Sequence, residues 1–293
     1  MKFPISPITA SEFGDDVSGD PRALADHVAN LENAESDCLA FCLARHLSSL
    51  AVLEAAVILA PRHLRNTVNV HAAQAVVWVE NPQALFVDIL VRNGYGNPPS
   101  PGWVAEGGYF MAEDAAVGDG TEIFPMASIH AGTVIGVKCR IQSAAVLGSI
   151  GLAYAESEGS YVRFPHLGRV VLGNNVDIGA GSVIVRGILQ DTIVGSGTRI
   201  GNGVNVGHNV EIGRNCFISS GATLAGSVKL EDNVWVAPKA VVLNGITVGH
   251  GARIAPGAVV VKKAQAFYLY AGNPARAIRK ITVTLKGRNN EWL

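Results

Sequence analysis

Residues 194–260 carry an aliphatic side chain at every sixth position. A period of six fits neither the roughly 3.6-residue turn of an α-helix nor the two-residue alternation of a β-hairpin. It is typical of a parallel β-helix, in which three short strands make one triangular coil and a coil takes eighteen residues. Stacked coils bury a continuous column that no single coil could bury alone. The positions in register are Val194, Ile200, Val206, Ile212, Ile218, Leu224, Leu230, Val236, Val242, Val248, Ile254 and Val260.

The same period continues upstream with two interruptions. Residues 117–147 and 172–184 keep the spacing, whereas residues 148–169 form an insertion and four extra residues fall around residues 187–191. Insertions leave a solenoid as loops on one side, which is frequently the binding side. We predict that Tyr154, Tyr161 and Phe164 in the longer insertion contact the substrate. The alternative is a loop that caps an edge or makes a subunit contact.

The pattern before the repeats is that of a small α/β domain. Apolar runs at residues 39–43, 56–59 and 75–79 predict buried strands. Asn81 and Pro82 predict the start of a helix that ends near residues 93–94, because Asn caps helices and Pro suits the first helical position. The first twenty residues contain turn formers without a period, which predicts a loosely packed start. Pro98, Pro99 and Pro101 predict a stiff linker.

The predicted fold class is therefore mainly β, a left-handed parallel β-helix of hexapeptide repeats preceded by a small α/β domain. Residues 1–105 form the predicted α/β domain. Residues 106–263 form the predicted β-helix. Residues 264–293 form a predicted C-terminal tail with a turn at residues 272–274.

Composition narrows the class of protein. The formal net charge is −1, so no global field favours nucleic acid or an anionic membrane. The cysteines lack the spacing of metal ligands, the histidines lack a short His–x–His pair, and neither a metal nor a tightly bound cofactor is expected. No apolar run is long enough to span a bilayer, and the N-terminus lacks an apolar signal core. These observations predict a cytoplasmic protein with reduced thiols.

His208 is the candidate catalytic residue. It follows the inward-facing Val206 by two positions, at a predicted corner of a coil, and Gly226 occupies the equivalent position one coil later. An imidazole can act as a general base near neutral pH, and a glycine N–H can stabilise an oxyanion. The pair suits acyl transfer from a thioester to an amine or hydroxyl. The alternative is an exposed corner histidine without a catalytic role.

Basic residues near the end of the repeats are candidates for donor binding. Lys262, Lys263 and Arg276 could contact the phosphates of a donor. A solvated charged end is the alternative.

The sequence from residue 148 resembles the UDP-3-O-acylglucosamine N-acyltransferases of lipid A biosynthesis over about half the chain. The resemblance rests on the run GSIGLAYAESEGSYVRFPHLGRVVLGNNVDIGAGSVIVRGILQDTIVGSGTRIGNGVNVGHNVEIG and on SSGATLAGSV. It implies a homotrimer with active sites between neighbouring solenoids, His208 as general base and Gly226 as the oxyanion amide. It also implies that Asn202 and Asn209 line the substrate site and that Phe41 stacks on a uracil ring.

We therefore predict transfer of an acyl group from a thioester to the amine of an amino sugar, with a nucleotide-sugar acceptor. The donor is expected to be the thioester of acyl carrier protein or of coenzyme A. AGNPARAI near the C-terminus resembles the end of hexapeptide acetyltransferases, which favours an alternative, acetyl-coenzyme A-dependent sugar acetylation. A non-catalytic trimeric scaffold is the alternative from another class.

Overall fold

The computed structural model describes residues 1–14, 16–43, 54–67, 75–96, 102–157 and 159–281. Contacts divide the chain into two compact units. The first comprises Met1–Pro99, Ile150–Gly168 and Ile188–Gln190, and the second comprises Ser100–Ser149, Arg169–Gly187 and Asp191–Leu293. Most residues of both insertions therefore belong to the first unit. The predicted domain boundaries at residues 105 and 263 stay predictions. The proline linker lies outside the described residues.

A mixed sheet forms the first unit. Its three inner pairings are parallel and its two outer pairings are antiparallel, within the described residues. The central strand Val57–Pro61 is buried throughout, as expected for a parallel strand covered on both sides. The strands, in spatial order, are Phe3–Thr9, Leu24–Val28, Cys38–Phe41, Val57–Pro61, Ala75–Val79 and Val17–Ser18. Short 3-10 helices span Ala10–Phe13, Leu31–Asn33 and Arg62–Thr67.

The helix and three strands predicted for this unit are confirmed. The helix spans Pro82–Arg92, and the Asn81 side-chain oxygen accepts a hydrogen bond from Ala84 N at 3.0 Å. Its buried face includes Phe86 and Leu90. The expected strand positions match Cys38–Phe41, Val57–Pro61 and Ala75–Val79 to within about two residues.

The prediction of a loosely packed start is wrong. Phe3–Thr9 is an edge strand paired antiparallel with Leu24–Val28, and Ile5 and Ala10 are buried in the core of the unit. Glu12 accepts a hydrogen bond from Thr9 N at 2.7 Å and closes a capping box. An edge strand needs only one apolar side, so its short irregular pattern gave no periodic signal.

In the described residues, the second unit is a triangular parallel β-helix with three faces. The chain passes from the first face to the second and third faces in each coil. The first face contains Glu122–Ile123, Arg140–Ile141, Asp177–Ile178, Arg199–Ile200, Phe217–Ile218, Trp235–Val236 and Arg253–Ile254. The second contains Trp103–Glu106, Tyr109–Ala112, Ser128–Ile129, Val146–Ser149, Val183–Val185, Asn205–Val206, Thr223–Leu224, Val241–Val242 and Val259–Val260. The third contains Ala116–Val117, Val134–Ile135, Val170–Leu172, Thr192–Val194, Glu211–Ile212, Lys229–Leu230 and Thr247–Val248.

Inward aliphatic side chains stack in register along each face. Val206 pairs with Leu224, and Leu224 pairs with Val242, so coils without an insertion pair at an eighteen-residue offset. These side chains are almost fully buried and form one continuous core. Cys216 lies inside this core, and burial raises the pKa of its thiol to about 11.

Side chains of the next coil cap many corner amides. Asn202 Oδ1 accepts from Ala180 N at 2.9 Å, and Ser220 Oγ accepts in turn from Asn202 N at 3.2 Å. Asp232 Oδ1 accepts from Arg214 N at 2.7 Å. These bonds satisfy turn amides that the strand ladders leave unpaired.

The predicted tail begins with a further rung of the solenoid. Tyr268–Ala271 pairs in parallel with Arg253–Ile254 on the first face, and Arg276–Lys280 folds back antiparallel to it. The tail at residues 264–293 stays a prediction as a separate segment, and its first part adds to the stack because a shortened corner breaks the period of six without ending the solenoid. Residues 282–293 lie outside the described residues. No helix in the described ranges is long and apolar enough to cross a membrane.

Candidate functional site

The corner between the second and third faces gathers the candidate chemistry. We call it the histidine corner and define it by the residues two positions after the inward aliphatic side chain of the second face. In chain order these are Ala131, Ser149, Arg186, His208, Gly226, Asn244 and Lys262. Both insertions also leave the solenoid at this corner, since residues 150–168 and 187–191 separate a second-face strand from a third-face strand.

The structure brings His208 and Gly226 together. A Cβ added to Gly226 would lie 2.6 Å from both Nε2 and Cε1 of His208. The imidazole therefore lies directly over the glycine, in space that any larger residue would fill. Asn244 Oδ1 would lie 2.9 Å from the same Cβ, so its carboxamide flanks the glycine from the other side. Asn244 is therefore an additional candidate site residue, and its residue type alone gave no reason to select it.

Asn209 orients the imidazole. Its Oδ1 lies 2.8 Å from His208 Nδ1, and a carbonyl oxygen can only accept, so Nδ1 carries the proton and Nε2 carries the basic lone pair. Asn209 is itself held, because its backbone N donates to Thr192 Oγ1 at 2.9 Å. Its φ of +59° is a left-handed conformation that asparagine tolerates. The Asn209 side chain, which is predicted to bind substrate, thus contacts His208.

The Gly226 amide has no side-chain cap of the kind seen at Ala180 and Asn202. Within the described part of the chain, Gly226 N donates no hydrogen bond, whereas its carbonyl accepts from Gly245 N at 3.0 Å. An amide beside a basic imidazole nitrogen is the arrangement that an acyl-transfer site requires. The local geometry therefore offers a proton acceptor and an oxyanion donor side by side.

A buried cation precedes His208 on the same corner. Arg186 is 5% exposed and donates from one guanidinium nitrogen to Ala131 O at 3.3 Å. Burial lowers the pKa of this guanidinium, and the carboxylates of Asp114 and Asp191 oppose that shift. Burial also lowers the pKa of His130, and the positive charge of Arg186 lowers it further. Sequence reasoning missed Arg186, because only the strand register reveals its alignment with His208.

Asn202 lies on a different corner of the coil from His208. It follows Ile200 of the first face, and its side-chain oxygen caps Ala180 N. Within one chain, the structure does not bring Asn202 to His208. A site containing both residues would need a second copy of the chain.

Two of the predicted aromatic contacts form a cluster in the first unit. The Phe41 and Phe86 ring centroids are 4.9 Å apart, and Phe164 lies 6.0 Å from Phe41. Phe164 is 2% exposed, so its side chain packs in the core, while Phe41 is half-buried. Phe41 therefore keeps a partly accessible ring.

The remaining aromatic candidates lie on a hairpin in the longer insertion. Its strands are Tyr154–Ser157 and Ser160–Arg163. Tyr161 is 75% exposed, and the Tyr154 ring lies 4.8 Å from the Arg163 guanidinium carbon. Asn81 of the helix cap donates to Glu156 O at 2.5 Å. The hairpin is thus attached to the first unit and presents one tyrosine to solvent.

The predicted donor-binding cations are exposed at the C-terminal end of the solenoid. Lys262 lies in the histidine corner, three coils after His208, and Lys263 follows it. At about 4.8 Å per coil, the corner positions of Lys262 and His208 are roughly 14 Å apart along the solenoid. Arg276 begins the last strand of the first face.

One cluster in the first unit has the composition of a metal site. Ligand atoms of Asp26, His27 and Asp37 come close together. Lys2 donates to Asp37 at 2.9 Å and pairs with Glu35 at 2.7 Å, and His27 Nδ1 lies 2.7 Å from Asp26, so side chains of the protein already contact both carboxylates of the cluster. We interpret the cluster as an ion-pair network.

The fold and the corner define a β-helix of hexapeptide repeats. Residues 191–226 and 227–262 match the family model described as bacterial transferase hexapeptide (six repeats). The chain is 37% identical over 122 residues to the UDP-3-O-acylglucosamine N-acyltransferase of Polynucleobacter asymbioticus, and 34% identical over 146 residues to that of Methylorubrum populi. These matches cover 40% and 50% of this chain, but only 34% and 42% of the relatives. The resemblance inferred from the sequence is confirmed over that stretch.

A solved structure extends the likeness. The UDP-N-acetylglucosamine acyltransferase of Francisella novicida matches with a TM-score of 0.52 and 27% identity, over 58% of this chain and 61% of that protein. The predicted fold class, with its left-handed parallel β-helix of hexapeptide repeats, is confirmed.

Proposed function

We propose that the protein is an acyltransferase that moves an acyl group from a thioester to the amine of an amino sugar. The observation that carries this proposal is the position of His208 over Gly226, with Nδ1 held by Asn209. The names of the matched relatives support the same reaction class. We further propose a UDP-linked 3-O-acylglucosamine as acceptor, in lipid A biosynthesis, and a cytoplasmic location.

His208 acts as general base in the proposed mechanism. Its Nε2 takes a proton from the amine as the amine nitrogen attacks the thioester carbon, and a C–N bond forms. The Gly226 N–H stabilises the oxyanion of the tetrahedral intermediate. When the C–S bond breaks, the imidazolium returns the proton to the leaving thiolate. Asn209 keeps Nδ1 protonated throughout and fixes the direction of Nε2.

The histidine corner also suggests a path for the donor. Acyl carrier protein and coenzyme A both present their thioester on a phosphopantetheine arm, which carries a phosphate at its far end. Lys262 and Lys263 lie further along the same corner, on the C-terminal side of His208. We propose that these lysines, with Arg276, contact the donor phosphate, and that the Asn244 carboxamide contacts the arm between them.

Two aromatic rings of the first unit are proposed to bind the acceptor. Tyr161 is an accessible ring of the longer insertion, and the half-buried Phe41 is a candidate for stacking on uracil. Binding of UDP measured by calorimetry should weaken in Phe41→Ala. We also propose that residues 1–105 form the nucleotide-binding domain.

Acyl transfer to a panel of UDP-amino sugars, including the 3-O-acylated glucosamine, tests the proposal by mass spectrometry. Acetyl-coenzyme A and long-chain acyl carrier protein serve as donors. We expect a long-chain product on the 3-O-acylated sugar and a loss of at least about a hundredfold in His208→Ala, since a general base contributes on that scale. An acetylated product from coenzyme A would instead assign a sugar acetyltransferase.

His250→Ala is the matched control, because His250 lies on another corner of the same solenoid. It should keep wild-type turnover, and circular dichroism should show that both variants fold. Equal turnover in wild type and His208→Ala would contradict the mechanism. A folded protein without product from any donor–acceptor pair would favour the non-catalytic scaffold.

A further inference from the structure

The charge of the chain is strongly uneven. The whole sequence has a formal net charge of −1, yet residues 233–281 contain lysines and arginines without a single aspartate or glutamate. The cations are Lys239, Arg253, Lys262, Lys263, Arg276, Arg279 and Lys280. The C-terminal end of the solenoid is therefore basic, while the preceding residues are acidic overall. A single net-charge figure conceals this difference.

In the described residues, neighbouring carboxylates do not neutralise the five of these cations that lie nearest the C-terminus. Earlier on the solenoid, Arg140 pairs with Glu122 at 2.9 Å, and Lys229 pairs with Glu211 at 3.1 Å. Within the described residues, by contrast, Lys262, Lys263 and the cations of Arg276–Lys280 form no ion pair. All five side chains of Arg276–Lys280 are exposed. Unpaired cations in one region attract an anionic partner.

Exposed apolar side chains accompany the cations. Ile278 is 58% exposed between Arg276 and Arg279 on the last strand of the first face. Further back on this face, Phe217 is 55% exposed, and its ring centroid lies 6.1 Å from that of Trp235. Cations beside aromatic and aliphatic side chains are typical of proteins that bind at the surface of an anionic membrane.

We propose that this basic end, consisting of residues 262–263 and 276–280 with Phe217 and Trp235, docks on an anionic lipid bilayer. The last strand is exposed along its whole length, whereas protein partners are usually held by a buried anchor in a pocket. A bilayer needs no pocket, because it attracts cations through its surface potential and accepts apolar side chains between the headgroups. The inference goes beyond the proposed acyl transfer and is tested at Arg279 and Lys280, because Lys262, Lys263 and Arg276 are also proposed to contact the donor.

Vesicle co-sedimentation of the full chain tests this docking. Vesicles of phosphatidylcholine with about 30% phosphatidylglycerol are compared with pure phosphatidylcholine, at low and high salt. We expect binding to the anionic vesicles only, and a decline as salt screens the surface charge. Each cation near such a surface strengthens binding by about fivefold. Arg279→Glu/Lys280→Glu should therefore weaken binding by at least about tenfold.

Lys138→Glu/Arg140→Glu is the matched control, because it makes the same charge change near the opposite end of the solenoid. It should bind almost as well as the wild type. Ile278→Ser/Phe217→Ser keeps the charge and should weaken binding if these side chains enter the headgroup layer. Equal binding to both vesicle types, or no binding at low salt, would overturn the proposal. The proposal would also be overturned if Arg279→Glu/Lys280→Glu lost the binding of an acidic acyl carrier protein but kept wild-type binding to the vesicles.

Discussion

Two neighbours set the chemistry of His208. Asn209 fixes the tautomer through Nδ1, and the absence of a side chain at position 226 leaves room for the ring. Neither contact involves the core, so changes at these positions separate catalysis from folding. Each can be tested with a substitution that leaves the strand register intact.

Gly226→Ala should reduce acyl transfer by at least about tenfold while the protein stays folded. The new Cβ would lie 2.6 Å from the imidazole, and the ring must move away because the glycine backbone cannot. Turnover measured beside the melting temperature distinguishes a displaced base from unfolding. Ser227→Ala, at the exposed next position, is the control and should behave as the wild type. Normal turnover in Gly226→Ala would show that the ring does not need its present position.

Asn209→Asp should keep activity and move the acidic limb of the pH–rate profile to higher pH. A carboxylate can accept a hydrogen bond from Nδ1 as the carboxamide does. Its negative charge also stabilises the imidazolium, so in this variant the ring loses its proton at higher pH. Asn209→Gly tolerates the positive φ and removes the acceptor, and its kcat should fall by about tenfold or more. An unchanged pH profile in the Asp variant would limit Asn209 to a structural role.

Strand register explains how much of the fold could be predicted from sequence. Stacked coils force an eighteen-residue offset, so the proximity of His208 and Gly226 followed from counting alone. Counting also located both insertions, since each one breaks the period. It could not show that Phe164 packs in the core, because an insertion has no register. The strands at Phe3–Thr9 and Tyr268–Ala271 were missed for the same reason.

His130, which directly follows the strand Ser128–Ile129, makes the stability of the fold sensitive to mild acid. Burial, assisted by the charge of Arg186, lowers the pKa of His130 from its ordinary value of 6.5. The unfolded chain therefore binds a proton at a pH where the folded chain does not, and the free energy of unfolding falls as the pH drops below about 6.5.

Urea denaturation at pH 7.5 and pH 5 measures this effect. We expect the midpoint to fall at the lower pH, and to fall less in His130→Gln, which cannot take up the proton. His63→Gln, at an exposed position of the first unit, should keep the wild-type difference. An equal pH response in wild type and His130→Gln would contradict the assignment.

At the scale of the whole molecule, the separate corners of Asn202 and His208 predict a shared site. If neighbouring chains complete it, a homotrimer is the active form, and native mass spectrometry should report three chains. A monomer with full activity would contradict this arrangement.

Complementation between inactive chains provides the stricter test. Mixed trimers of His208→Ala and Asn202→Ala chains should recover part of the activity, because some interfaces then combine two intact corners. Mixed trimers of His208→Ala and Asn209→Gly should recover none by this route, since both changes affect the same corner. Equal recovery in both mixtures would exclude a site divided between chains.

Each regular coil takes eighteen residues, so the histidine corner can be lengthened or shortened only by whole coils. Removing eighteen residues, such as residues 229–246, would keep each inward column continuous, yet it would place Lys262 two coils from His208 instead of three. The distance between a bound phosphate and the reacting carbon can thus change only in steps of about 4.8 Å. In such a solenoid, gain or loss of whole coils is a route by which evolution could match the protein to donors of different reach without disturbing its core.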